Sequence, residues 1–216
     1  MNEREIASSL LKWYKKYKRD FFWRTVSDPY QILICEILLK KTRAETVEKL
    51  LLSFFKRFPD LKKIHLSSEN ELQRKLKPFG LYRQRAVHLK KLAEYAKDNF
   101  LYKIPQGKSE LLKFPGVGEY TASAVICFAF NQKMPIIDTN TVRIFSRLYG
   151  IKKEKGELRR DKIFIAKVDN FYYRIRIRKV KELNWALLDL GALICKPKTP
   201  QCIICPIAIH CLDSSS

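Results

Sequence analysis

Four of the six cysteines crowd into the last 22 residues, as Cys195-x6-Cys202-x2-Cys205-x5-Cys211 with Pro197, Pro200 and Pro206 between them. Four thiolates so close along a chain can enclose either a zinc ion or a [4Fe-4S] cube. Structural zinc more often uses two short Cys-x2-Cys knuckles joined by a longer loop, and this segment has only one. Cys35 and Cys127 stand alone inside apolar helical runs, where a thiol serves as a small core hydrophobe. The cluster therefore reads as a metal site rather than a disulfide framework.

Three further segments carry chemistry. In Pro115-Gly116-Val117-Gly118-Glu119-Tyr120 a turn breaks one helix and opens the next. Two glycines there let the backbone approach a ligand, and the N–H groups at a helix start attract an anion. Further on, Asp138 follows Pro135, Ile136 and Ile137 and precedes an amphipathic stretch. It suits a helix N-cap, and equally a partly buried carboxylate facing a substrate. Glu36 is the one charge between Asp28 and Lys40, set among Ile32, Leu33, Ile34, Ile37, Leu38 and Leu39. Either it points outward from a buried helix, or it is a desolvated acid with a raised pKa, suited to donating a proton.

The elements that must position these residues are helical. Ile6, Leu10, Trp13, Tyr14 and Tyr17 share one helical face. Val47, Leu50, Leu51, Phe54, Phe55 and Phe58 share another, which Pro59 ends. Leu89, Leu92, Ala93 and Ala96 form a third stripe, and Leu183, Leu187, Leu188 and Leu190 a fourth. Within Phe171–Val180, arginines at 174, 176 and 178 alternate with Ile175 and Ile177, a pattern that also suits an extended run. The chain as a whole reads as all-α, with short connections and neither a repeat nor a low-complexity linker.

Charge narrows the partner. In 216 residues, 43 Lys+Arg against 22 Asp+Glu leave a formal charge of +21, so a polyanion is expected. The longest apolar stretch, from Ala122 to Phe130, falls far short of the ~20 residues that span a bilayer. The first ten residues carry two acids and no apolar core, unlike a secretory signal. The expectation is a cytoplasmic, DNA-associated protein with no membrane partner.

Taken together, these segments resemble the helix–hairpin–helix DNA glycosylase superfamily that includes endonuclease III and the adenine DNA glycosylases. Within it the chain is most similar to the archaeal thymine–DNA mismatch branch. The resemblance runs from about Trp13 to Cys211. It rests on Phe22-Trp23-Arg24, Asp28-Pro29-Tyr30, Glu36 to Leu39, Gly80-Leu81, Gln84-Arg85-Ala86 and Pro115 to Thr121. It implies a six-helix lobe over 23–131 containing the hairpin at 111–125. A second lobe, from 1–22 plus 132–216, would hold a [4Fe-4S] cluster on the loop 195–211, ligated by Cys195, Cys202, Cys205 and Cys211. Double-stranded DNA would cross the cleft between the lobes of a monomeric enzyme. Lys40, Lys41, Leu81, Gly116, Val117 and Gly118 would contact it.

The resemblance also assigns roles. Asp138 matches the family's essential aspartate and Glu36 its base-directed acid, with Tyr120 packing against the flipped nucleotide. Bifunctional members place a lysine at position 120, and a phenol of pKa about 10 cannot form a Schiff base. The expected activity is monofunctional hydrolysis of the N-glycosidic bond of thymine or uracil opposite guanine. The alternatives are an adenine-specific mismatch glycosylase or a bifunctional pyrimidine-lesion enzyme. Lys40-Lys41 in place of the Gln-Gln pair of adenine glycosylases, Leu81 in place of a wedging tyrosine, and a sequence ending five residues after Cys211 all argue against adenine opposite 8-oxoguanine. The basic stretch from Lys152 to Lys181 has no clear counterpart and reads either as a solvated face or as an extension of the DNA footprint.

Overall fold

The computed structural model describes residues 2–152, 157–175 and 178–213. In chain order the α-helices are α1 (Glu3–Tyr17), α2 (Pro29–Leu39), α3 (Ala44–Arg57), α4 (Leu61–Leu66), α5 (Glu69–Leu76) and α6 (Tyr82–Phe100). Then follow α7 (Lys108–Leu111), α8 (Glu119–Phe128), α9 (Thr139–Leu148), α10 (Lys162–Arg174) and α11 (Val180–Leu193). Among the described residues there is no strand, and no helix is long and apolar enough to cross a membrane. The extended pattern at 171–180 does not hold where it is described. Phe171–Arg174 completes α10, whose Phe171 and Tyr172 are core residues, and Val180 opens α11. Arg176 and Ile177 lie outside the described residues, as do 153–156 of the basic stretch.

The chain forms two compact units. One is contiguous, Phe21–Phe130, and the other joins Met1–Asp20 to Asn131–Ser216.

In the contiguous unit, α2 packs on α8 and α3, while α4 and α5 pack on α6. Helix α2 starts where Asp28 accepts from Gln31 N at 2.8 Å and Pro29 takes the first helical position. From Tyr30 to Leu38 every residue of α2 except Gln31 is buried, and α8 is buried from Thr121 to Phe128. Helices apolar on all sides form the centre of a unit rather than its skin. Phe54 and Phe58, both fully buried, pack with tilted rings 5.1 Å apart on α3 and its end.

In the other unit, α1 and α9 both pack on α11. Helix α11 brings two fully buried polar side chains into that core, and each is answered. Asn184 accepts from Ile136 N (3.1 Å) and Tyr172 Oη (2.7 Å) and donates to Met134 O (3.0 Å). Asp189 accepts from Arg19 N (3.0 Å) and Arg19 Nε (2.7 Å), which ties the end of α1 to α11. Asn184 thereby fixes the irregular segment that delivers Asp138 to the start of α9.

Candidate active site and nucleic-acid interface

Glu36 is 4% exposed, so its helix does not turn it to solvent. One turn later stands Lys40, the i+4 position, on the same face of the helical path. Lys40 is exposed as a residue, yet its Nζ donates to Gly116 O at 2.9 Å. Desolvation there holds the Lys40 ammonium below the usual lysine pKa, and Glu36 opposes that shift. The Glu36 face of α2 is thus joined, through Lys40, to the hairpin that opens α8.

The hairpin itself is built from two unlike glycines. Gly116 has φ +79°, a left-handed conformation that a side chain strains. Gly118 is in ordinary extended backbone at φ −107°, and a Cβ placed on it meets nothing within 4 Å. Gly118 is the N-cap of α8 and offers no side chain to its first N–H groups, which a helix start leaves without intrahelical partners. Val117 is turned into the core, 7% exposed, and its N–H donates to Phe114 O, so it shapes the hairpin from within. Glu119 pairs with Lys108 at 2.8 Å, and Tyr120 is half-buried in the first turn of α8.

Lys41 and Leu81 are exposed, each with left-handed backbone at φ 58° and φ 49°. Leu81, at 46% exposure, is an apolar side chain offered to solvent between Gly80 and the start of α6. Their two loops meet at Arg85 of α6, a buried guanidinium. It donates to Phe79 O (2.7 Å), Gly80 O (3.0 Å), Leu38 O (3.1 Å), Lys40 O and Thr42 Oγ1 (2.9 Å).

In the second unit Asp138 is half-buried and both its carboxylate oxygens are engaged. Oδ1 accepts from Thr141 N at 2.7 Å and Thr141 Oγ1 at 3.1 Å, and Oδ2 accepts from Asn140 Nδ2 at 3.0 Å. Asn140 Oδ1 in turn accepts from Arg143 Nη2 (2.8 Å), and Arg143 also donates to Gly191 O and Cys195 O. Capping and a fixed carboxylate orientation belong to the same residue.

The four C-terminal cysteines line one small cavity together with Ile144, Leu190, Ile194 and Ile207. Arg147 Nη1 lies 3.3 Å from Cys195 Sγ and donates to Lys196 O. Burial, with a smaller push from the neighbouring cysteines, raises the Cys205 thiol to about 11. An all-sulfur donor set lining one cavity suits a soft metal centre. Among the described residues, no three His, Cys, Asp or Glu side chains converge closely enough to hold a single ion.

Sequence reasoning missed Arg85, Asn140, Arg143 and Asn184. Arg85 falls inside the quoted Gln84-Arg85-Ala86 segment, but its partners lie up to 47 residues away. Asn140 and Arg143 follow Asp138 by two and five positions, a local signal that was open to a capping analysis.

Residues 34–166 match the HhH-GPD superfamily of base excision DNA repair proteins. The chain is 34% identical to a protein of Aeropyrum pernix named thymine-DNA glycosylase, over 96% of this chain and 93% of the relative. It is also 34% identical to a thymine/uracil-DNA glycosylase of Methanothermobacter thermautotrophicus, over 95% and 91%. The solved structure of a thermostable thymine-DNA glycosylase superposes with a TM-score of 0.90 at 33% identity, covering 98% of this chain and 96% of that one. The all-helical frame, the glycine hairpin before α8 and this full-length similarity have one reading: the chain belongs to the HhH-GPD superfamily of base excision DNA repair proteins.

Proposed function

We propose that the protein is a monofunctional DNA glycosylase that releases thymine or uracil mispaired with guanine, acting as a monomer on double-stranded DNA. The observation that carries this reading is the near full-length similarity to relatives named thymine or thymine/uracil glycosylases. The residues supply a matching chemistry. Breaking the N-glycosidic bond leaves positive charge on the sugar, which a preorganised carboxylate stabilises. Asp138 meets that need, because three donors hold it in one orientation before substrate arrives. The same carboxylate orients the water that adds to C1′. Tyr120 offers no amine, so water and not an enzyme side chain takes the sugar.

The target base has to leave the stack first, at a cost of a few kcal/mol that is least at a mismatch. Glu36 then hydrogen-bonds the edge of the extruded base. The start of α8, with Gly116 and Gly118, takes a backbone phosphate and sets the register of the duplex without reading its sequence. Lys40, Lys41 and Leu81 meet the DNA beside the emptied position. Cys195, Cys202, Cys205 and Cys211, which line one cavity with an all-sulfur donor set, would hold a [4Fe-4S] cluster, and through it the four cysteines would tie the C-terminal loop to its unit.

A panel of duplexes tests the reading by measuring free base released. G·T and G·U pairs are expected to lose the pyrimidine and leave an intact abasic strand. Release of adenine from mismatched pairs, with G·T untouched, would overturn the substrate assignment.

A further inference from the structure

Arg85 is nearly fully buried and carries a charge that the core of α6 does not require. Its position explains why it is there. Helix α2 ends at Leu39, and its terminal carbonyls lack intrahelical donors; Leu38 O and Lys40 O both accept from Arg85 Nη2. The short helical turn Lys77–Phe79 ends in the same way, and Phe79 O and Gly80 O both accept from Arg85 Nη1. Thr42 closes the ring, accepting from Arg85 Nη2 and donating its own hydroxyl to Phe79 O at 2.9 Å. One planar fork therefore binds two helix ends that are about forty residues apart in sequence, a task suited to guanidinium geometry and not to an ammonium.

The two ends so joined are the loops that present Lys40, Lys41 and Leu81. Each loop has a non-glycine residue in left-handed backbone, Lys41 and Leu81. Such residues persist only where their surroundings over-determine them. Here the carbonyls flanking both strained positions, Lys40 O and Gly80 O, are held by the same side chain. Two cationic side chains and one apolar side chain are thus carried on a single rigid mount, an arrangement suited to pressing an apolar tip between base steps while neighbouring phosphates are neutralised.

We propose that Arg85 is a positioning residue for base extrusion: it locks the loops 38–42 and 79–82 into one register so that Leu81 and the lysine pair engage the duplex together. This deepens the glycosylase reading and rests on it. Arg85 touches no DNA itself and works through the backbone of the residues that do.

The test is a double-mutant cycle on single-turnover thymine release from a G·T duplex, with Leu81→Ala, Arg85→Gln and the pair. Each single variant is expected to slow release by about tenfold, the equivalent of ~1.4 kcal/mol. The double variant is expected to be no slower than Arg85→Gln, because a Leu81 on an unlocked loop has little left to lose. Affinity for a fully matched duplex should fall by no more than several-fold, since Lys40 and Lys41 keep their charge while losing their fixed mount. A 2-aminopurine placed beside the mismatch should lose its extrusion fluorescence in Arg85→Gln. If Arg85→Gln does not fold, Arg85→Lys serves in its place. That variant keeps the charge, reaches fewer carbonyls and should show the same non-additivity with a smaller loss. Independent, multiplying effects of the two substitutions, or an Arg85 variant with wild-type release and fluorescence, would overturn the positioning role while leaving the glycosylase reading intact. Failure of the wild type to release base from any mismatched duplex would instead overturn that reading and the role built on it.

Discussion

Asp138 and Thr141 cap one another: Thr141 N donates to Asp138 Oδ1 at 2.7 Å, and Asp138 N donates to Thr141 Oγ1 at 2.7 Å. The reciprocal pair gives Asp138 a structural role beside the chemical one proposed for it, and the two contributions separate by substitution. Asparagine is as good an N-cap as aspartate, whereas alanine forfeits about 1 kcal/mol. Asp138→Asn is therefore expected to unfold at the wild-type temperature and bind mismatched DNA, yet release base about 100-fold more slowly or worse, in line with loss of a preorganised electrostatic group. Asp138→Ala should lose both release and stability. Thermal unfolding and single-turnover release distinguish them, and an asparagine variant that keeps wild-type release would remove Asp138 from the chemistry.

The hairpin glycines make a second pair of contrasting substitutions. Gly116→Ala puts a side chain on left-handed backbone and should cost about 1 kcal/mol of stability. Gly118→Ala meets open space on permissive backbone and should fold as wild type. Its methyl would stand where a phosphate approaches, so its duplex affinity should fall several-fold, read by fluorescence anisotropy. Unchanged affinity in Gly118→Ala would place the phosphate elsewhere.

In the proposed mechanism, position 120 decides between hydrolysis and strand cleavage. Wild-type protein should leave an abasic strand that breaks only on alkali or heat, and borohydride should trap little covalent complex. Tyr120→Lys should introduce both trapping and cleavage, because an amine then faces the sugar. Efficient trapping by the wild type would mean that another lysine is the nucleophile.

Much of this was legible in the sequence, and the reason is periodicity. The stripes around Leu10, Leu51, Leu92 and Leu187 lie on buried faces, although Tyr17 at the end of the first is exposed, and Asp138 caps α9 as its residue type and position lead one to expect. Glu36 was ambiguous because the helix that carries it is apolar on every side, so its direction had no periodic signature; packing against α8 buried it. Arg85 was invisible for a different reason. Its five acceptors are four backbone carbonyls and a threonine, and carbonyls have no residue type to search for. The extended reading of 171–180 failed where it is described because Phe164, Val168, Phe171 and Tyr172 have a helical spacing that is answered by a buried face.

The cysteine loop predicts a colour. Purified protein is expected to absorb broadly near 400 nm and to carry about four irons per chain, as cysteine-ligated cubes do. Replacing Cys205 with serine should bleach that band and loosen the loop 195–211 to proteolysis. A colourless protein holding one equivalent of zinc would contradict the cluster.

A formal charge of +21 should make duplex binding steeply salt-dependent. The logarithm of the affinity should fall linearly with the logarithm of salt. Lys41→Ala is expected to reduce that slope by about one unit, as the loss of one phosphate contact does. A flat response would assign the charge to something other than DNA.

The bond between Arg19 and Asp189 spans 170 positions of the chain. On the ribosome, residues 21–130 emerge as a continuous stretch and can condense as soon as α8 clears the exit tunnel. Helix α1 is made first but must wait for α11, leaving Ile6, Leu10 and Trp13 without the core that covers them in the finished protein. Helix α1 is therefore a segment that a nascent-chain holdase would engage, and its docking waits until α11 has been made. A pulse-proteolysis experiment on stalled chains would read this order directly, as protection of 21–130 preceding protection of α1.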